Sequence, residues 1–152
     1  MKKQKLGYYE KRSIMTIIVY LLVYASMFYD AIVYYKLQEP KQEFLSFWGN
    51  QFLELFLCLI FVYVLSYFAF NIINKKLTGE SRPKIKDERD NTIELKAIHI
   101  AYYTFILGVF CAMLSALWVK SFSPIFLIIM ATFLVSGIVA EVTRIVSYRK
   151  SS

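Results

Sequence analysis

Apolar residues run through four stretches of the chain: Ile14 to Tyr35, a longer one from Phe44 to Ile73, Ala97 to Val119, and Pro124 to Val146. About 20 residues rising roughly 1.5 Å each cross a hydrocarbon core of roughly 30 Å, and each stretch is that long. Backbone N–H and C=O groups in lipid must bond within their own segment, so the stretches read as α-helices. None shows the alternation of a barrel strand. The expected fold is therefore an all-α integral membrane protein. It forms a single four-helix membrane domain over residues 1–152, with spans at about 14–35, 52–73, 97–119 and 124–146 and a polar loop at 74–96. The second stretch exceeds what a bilayer needs. Counting back from Ile73 ends near Glu54, which leaves Phe44 to Phe52, with Trp48, Asn50 and Gln51, as an expected interfacial turn with an aromatic anchor.

Charge gives the orientation. Lys2, Lys3, Lys5, Lys11, Arg12, Lys75, Lys76, Arg82, Lys84, Lys86, Arg89, Lys96, Arg144, Arg149 and Lys150 fall on one side of the spans, and only Lys36, Lys41 and Lys120 on the other. The positive-inside rule then puts both termini and the middle loop in the cytoplasm, with the cell (inner) membrane as the expected location. The first apolar run is too long for a signal-peptide core and lacks a cleavage site before a polar domain, so it is expected to stay as a signal anchor.

Composition agrees. The chain is 58 % hydrophobic and 19 % charged, against roughly 45–50 % and 25 % in soluble domains. That excludes a disulfide scaffold, a coiled coil, a disordered tail and an ordinary cytosolic enzyme. The net charge of +7 belongs to span ends, where it meets anionic headgroups, so nucleic acid is not an expected partner. Cys58 and Cys111 lie inside spans as packing residues. With a single histidine, no phosphate loop and no nucleophile set, no catalytic residue, metal site or cofactor is expected.

Small residues at fourfold spacing, Gly108, Ala112 and Ala116 in the third span and Thr132, Ser136 and Ala140 in the fourth with Gly137 beside them, predict a tight hairpin. Tyr20 and Tyr24 on the first span match Tyr63 and Tyr67 on the second in depth counted from Ile14 and Ile73. An intramembrane layer of four phenols, bonded between helices or through water, is expected.

Ionisable groups within spans invite a functional reading. Asp30 and Glu54 with Gln51 and Asn50 form a candidate outward-facing site for a cation, proton or cationic peptide, or simply lie in the outer interface. Glu141 and Arg144, three apart, are expected to pair on one helix face, with Arg144 reaching toward the headgroups. His99 reads as an interfacial group.

Ahead of the third span the chain reads Lys86-Asp87-Glu88-Arg89-Asp90, then Ile93, Glu94, Lys96 and Ala97. Asp87 suits an N-cap and Asp90 can reach back to complete a capping box, so the helix is expected to project about two turns beyond the membrane. Asp87, Glu88, Arg89, Asp90, Glu94 and Lys96 become the candidate docking surface. A latch from the acidic side, which includes Asn91, to Arg144, Arg149 or Lys150 is the alternative use. The order D-E-R-x-x-x-I-x-x-K-A before a span resembles the signature of a family of small four-span prokaryotic membrane proteins. That family carries no assigned activity, so the resemblance implies topology and no chemistry.

The expected role is a non-enzymatic accessory, sensor or immunity-type factor in the lipid bilayer, acting through a cytosolic or membrane protein partner. The alternative is a small transporter or channel subunit with the outward acidic site, working as a homo-oligomer.

Overall fold

The computed structural model describes residues 7–37, 44–79, 87–118 and 122–150. Four α-helices follow one another: α1 (Tyr8–Leu37), α2 (Phe44–Thr78), α3 (Glu88–Ser115) and α4 (Ser123–Lys150). All four are long and apolar enough to cross a membrane, which is the build of a multi-pass membrane protein.

Local chemistry fixes several helix ends. Gly79 closes α2 with φ +71°, a left-handed conformation that glycine adopts without steric cost. Its N–H donates to the Lys75 carbonyl at 3.1 Å. Asp87 caps α3 from an extended backbone and accepts the Glu88 N–H at 2.8 Å. The expected capping box does not form, because Asp90 turns instead to the hydroxyl of Tyr148 on α4. At the start of α4, Pro124 occupies the first turn, where its missing N–H costs nothing.

The expected interfacial turn over Phe44 to Phe52 is helix in the structure, so α2 is a 35-residue element. Its Trp48 is 1 % exposed and stacks on Phe126 of α4 with ring centroids 5.2 Å apart. Burying an indole against another ring outweighs placing it at an interface, and that contact keeps the chain helical to Phe44.

α1 and α4 form the central pair. α3 packs along α4, and α2 along α1, so α2 and α3 stand on the two flanks. The bundle has two ends of different character. Far from the termini, Val23, Tyr24, Ala31, Trp48, Leu55 and Met130 form an apolar, aromatic core. At the end that carries the termini, polar side chains join the helices.

The stripes of small residues work as spacers. A Cβ on Gly108 would lie 2.3 Å from both Cγ2 and Oγ1 of Thr132, so α3 and α4 touch there almost backbone to side chain. Ala112 and Ala140 are buried along these stripes. Gly137 serves a different neighbour, since a Cβ there would stand 2.8 Å from the Tyr20 ring of α1. Ala116 lies beyond the last turn of α3 as its C-cap.

The register of α1 on α2 departs from the depth match of the four tyrosines. Tyr8 donates to Asn71 Oδ1, and Arg12 meets Tyr63 and Tyr67. Tyr20 is thereby displaced by about two turns, roughly 12 Å, from a position opposite Tyr67. Polar pairs at the termini end, rather than the edges of the apolar runs, set the alignment.

Gly108→Val should lower stability by about 1–3 kcal/mol through overpacking at Thr132. Gly49→Ala, whose Cβ would meet nothing within 4 Å, should leave stability unchanged or raise it slightly. Thermal unfolding in detergent micelles checks the contrast.

Candidate functional site

On α4, Glu141, Arg144 and Tyr148 are spaced by three and four residues and so share one face. On α3, Asp90 and Glu94 are one turn apart. On α1, Tyr9, Arg12 and Ser13 lie within one turn. The hairpin of α3 and α4, and the packing of α1 on α4, bring these stripes to a common point at the termini end.

Glu141 is buried there. Arg144 Nη1 donates to its Oε1 at 2.6 Å, the pairing expected from their spacing, while Nη2 donates to Oε1 of Glu94 at 2.9 Å. One guanidinium thus serves two carboxylates from two helices, a use that a planar fork permits and a lysine does not. Ser13 of α1 is buried beside Glu141, and the two line one cavity. A buried carboxylate is tolerated only when paired and bonded in this way.

Further pairs surround it. The Tyr148 hydroxyl donates to Asp90 Oδ1 at 3.1 Å, and its ring stacks on Tyr9 at 5.0 Å. Arg149 Nε donates to Glu10 Oε1 at 3.2 Å, and the other oxygen of Glu10 takes the Gly7 N–H at 2.9 Å. Arg12 Nη2 donates to the Tyr63 hydroxyl of α2 at 2.5 Å, and its guanidinium carbon lies 5.1 Å from the centre of the Tyr67 ring. All four helices meet in this network. It encloses a cavity of about 60 Å³ lined by Arg12, Ser13, Tyr63, Glu94, Glu141 and Arg144 among others.

Next to that cavity, toward the middle of the bundle, a cleft of about 370 Å³ opens between the flanking helices. Tyr20, Tyr24 and Tyr63 contribute phenols to it, and Gly137, Ala140 and Ala101 make its shallow walls. Tyr63 borders both spaces.

The sequence-derived candidates divide accordingly. Asp87, Glu88, Arg89 and Lys96 are exposed on α3, as is Asn91. Asp90 and Glu94 are half-buried and turned to α4: Glu94 pairs with Arg144, one of the cations of the latch alternative, whereas Asp90 accepts from the Tyr148 hydroxyl instead. Arg149 holds Glu10 of α1. Of the four tyrosines, Tyr20, Tyr24 and Tyr63 share the cleft, whereas Tyr67 lies under Arg12.

Asp30 and Glu54 are exposed on α1 and α2, and neither makes a hydrogen bond or ion pair among the described residues. Gln51 is buried, with its Oε1 lacking a hydrogen bond there. His99 is exposed, and Cys58 and Cys111 are free thiols. Among the described residues no group of three His, Cys, Asp or Glu is placed to hold a metal ion.

Tyr9, Glu10, Ser13 and Tyr148 belong to the network although the sequence did not single them out. Tyr148, one turn beyond Arg144 on the same face, was the clearest available sign. Compared with protein-family models, curated proteins and solved structures, the chain matches none.

Replacing Arg144 by Gln strands a buried carboxylate and should cost about 3–5 kcal/mol. Glu94→Gln leaves Glu141 paired and removes only the charge of a side chain that is 39 % exposed, so it should cost about 0–1 kcal/mol. Unfolding midpoints of the two variants in one detergent give the comparison.

Proposed function

We propose that this chain is a non-enzymatic membrane accessory, sensor or immunity-type factor that acts through a protein partner at its cytoplasmic face. In this reading the four helices span a prokaryotic cell membrane with both termini and the 74–96 segment in the cytoplasm. The four candidate spans support insertion, and the lopsided distribution of Lys and Arg supports the orientation. The D-E-R-x-x-x-I-x-x-K-A order ahead of α3 resembles small four-span prokaryotic proteins and fits that topology.

One observation carries the docking role. Asp87, Glu88 and Arg89 are exposed at the tip of α3, while the next turn of the same helix is pinned to α4 through Asp90 to Tyr148 and Glu94 to Arg144. A charged tip held on a fixed base is pre-organised for recognition, since little freedom is lost on binding. Electrostatic complementarity at such a tip would set partner choice and encounter rate more than raw affinity. The transporter alternative draws less support, because Asp30 and Glu54 are exposed on separate helices and bond to nothing among the described residues.

Reversing the tip with Asp87→Lys, Glu88→Lys and Arg89→Glu should abolish recovery of the partner in a crosslinking pull-down from native membranes, with membrane levels of the chain unchanged. Retention of every partner by that variant would sink the docking role.

A further inference from the structure

The lateral cleft is a feature that the docking role leaves unused. It exists because α2 and α3 flank the central pair without packing on each other as the other neighbours do. Its walls are Ile60 and Tyr63 of α2, Ala101 of α3 and Gly137 of α4, with Tyr20 and Tyr24 of α1 behind. At about 370 Å³ it falls in the range of small-molecule sites. Even 10 Å of α-helix, about 10 Å across, fills roughly 800 Å³, so a partner helix is too large for it.

Polarity is graded along the cleft. At the mid-bundle end it meets the aromatic core through Phe56 and Phe133. At the termini end Tyr63 separates it from Arg12, whose guanidinium lies over the Tyr67 ring, donates one hydrogen bond, to Tyr63, and makes no ion pair among the described residues. Arg144 pairs with both nearby carboxylates, Glu141 and Glu94, and Glu141 also acts on Arg12 through space without a direct ion pair. An arginine has five N–H donors in a fork that matches phosphate geometry, and among the described residues Arg12 commits one of them to a hydrogen bond. From Arg12 to Tyr24 along α1 is about 18 Å, close to the roughly 15 Å of hydrocarbon in one leaflet.

We propose that the cleft is a phospholipid site: one acyl chain lies between α2 and α3 against Tyr20, Tyr24 and Gly137, and the phosphate of the same lipid is received by Arg12. An apolar trough with a cationic donor at headgroup depth matches this amphiphile in both length and polarity. The proposal rests on the membrane placement argued above and is independent of the docking role.

The test uses the full chain in vesicles of phosphatidylethanolamine and phosphatidylglycerol, with a phosphatidylethanolamine probe carrying a photoreactive acyl chain. Adducts are mapped by peptide mass spectrometry. Wild type should concentrate adducts on residues 56–63 and 133–140, above the level on the exposed face of α3 around Leu107. Ala101→Phe, which fills the mouth, should remove that excess, and Ile60→Trp fills it from the opposite wall should the first variant fail to fold. Arg12→Gln should weaken labelling about tenfold, the effect of losing a charged hydrogen bond. Leu107→Phe, on the exposed face, should change nothing. Adducts spread evenly over all exposed faces, or undiminished in both filled variants, would overturn the lipid site. A chain that does not enter vesicles at all would instead overturn the membrane placement.

Discussion

The burial of one carboxylate, Glu141, organises the termini end of the molecule. Removing a carboxylate from water costs several kcal/mol unless its oxygens are bonded and its charge opposed. α4 supplies the opposing charge itself, since Arg144 follows one turn later. A single ion pair would leave the guanidinium half used. The guanidinium's remaining capacity is filled from outside, by Glu94 of α3. The requirements of one buried pair therefore draw α3 to a fixed height on α4. α1 joins α4 at the same end through its own contacts, Tyr9 stacked on Tyr148 and Glu10 paired with Arg149.

The far end is held by other means. There Trp48, Phe126, Leu55, Tyr24 and Met130 fill space by shape, and the contacts are dispersive. In a bilayer such packing gains little from the hydrophobic effect, because lipid tails are as apolar as the side chains they would replace. Close fit is what remains, which explains why spacers such as Gly108 and Gly137 sit where helices approach most tightly. α2 carries no carboxylate into the polar network and joins it through Asn71, Tyr63 and Tyr67. Anchored to α1 at one end by these groups and to α4 at the other by Trp48, it leaves room between itself and α3. The cleft follows from that division of labour among the helices.

Much of this was legible in the residues. Helix number and approximate position follow from the length of the apolar runs. The Glu141 and Arg144 pair follows from their spacing, and the tight hairpin follows from small residues at fourfold intervals. What sequence reasoning could not give was which stripe faces which. Depth was counted from apolar edges at Ile14 and Ile73, yet α1 begins at Tyr8 and α2 runs on to Thr78. Residues outside the apolar runs, Tyr8 and Asn71 among them, align the two helices. Trp48 misled for a related reason. An indole at the edge of an apolar run suits an interface and a core equally, and only the presence of Phe126 across the bundle decides between them.

The split in the charged segment before α3 has the same origin. Helical spacing puts Asp87, Asp90, Asn91 and Glu94 on one side and Arg89 and Lys96 on another, but it does not say which side meets a neighbouring helix. Asp90 and Glu94, one turn apart, face α4 and are consumed by Tyr148 and Arg144. Asp87, Glu88 and Arg89 lie at the tip, before the helix has a neighbour, and Lys96 lies on the outward side. The bonded pair ties the helix to α4, and Asp87, Glu88, Arg89 and Lys96 keep their charges at the surface. A surface in which all six pointed outward would carry more charge. Its helix would then be tied to the bundle near that end only by the buried Ile93 and Ala97, and apolar packing without ion pairs sets rotation about the axis less strictly than directed bonds do.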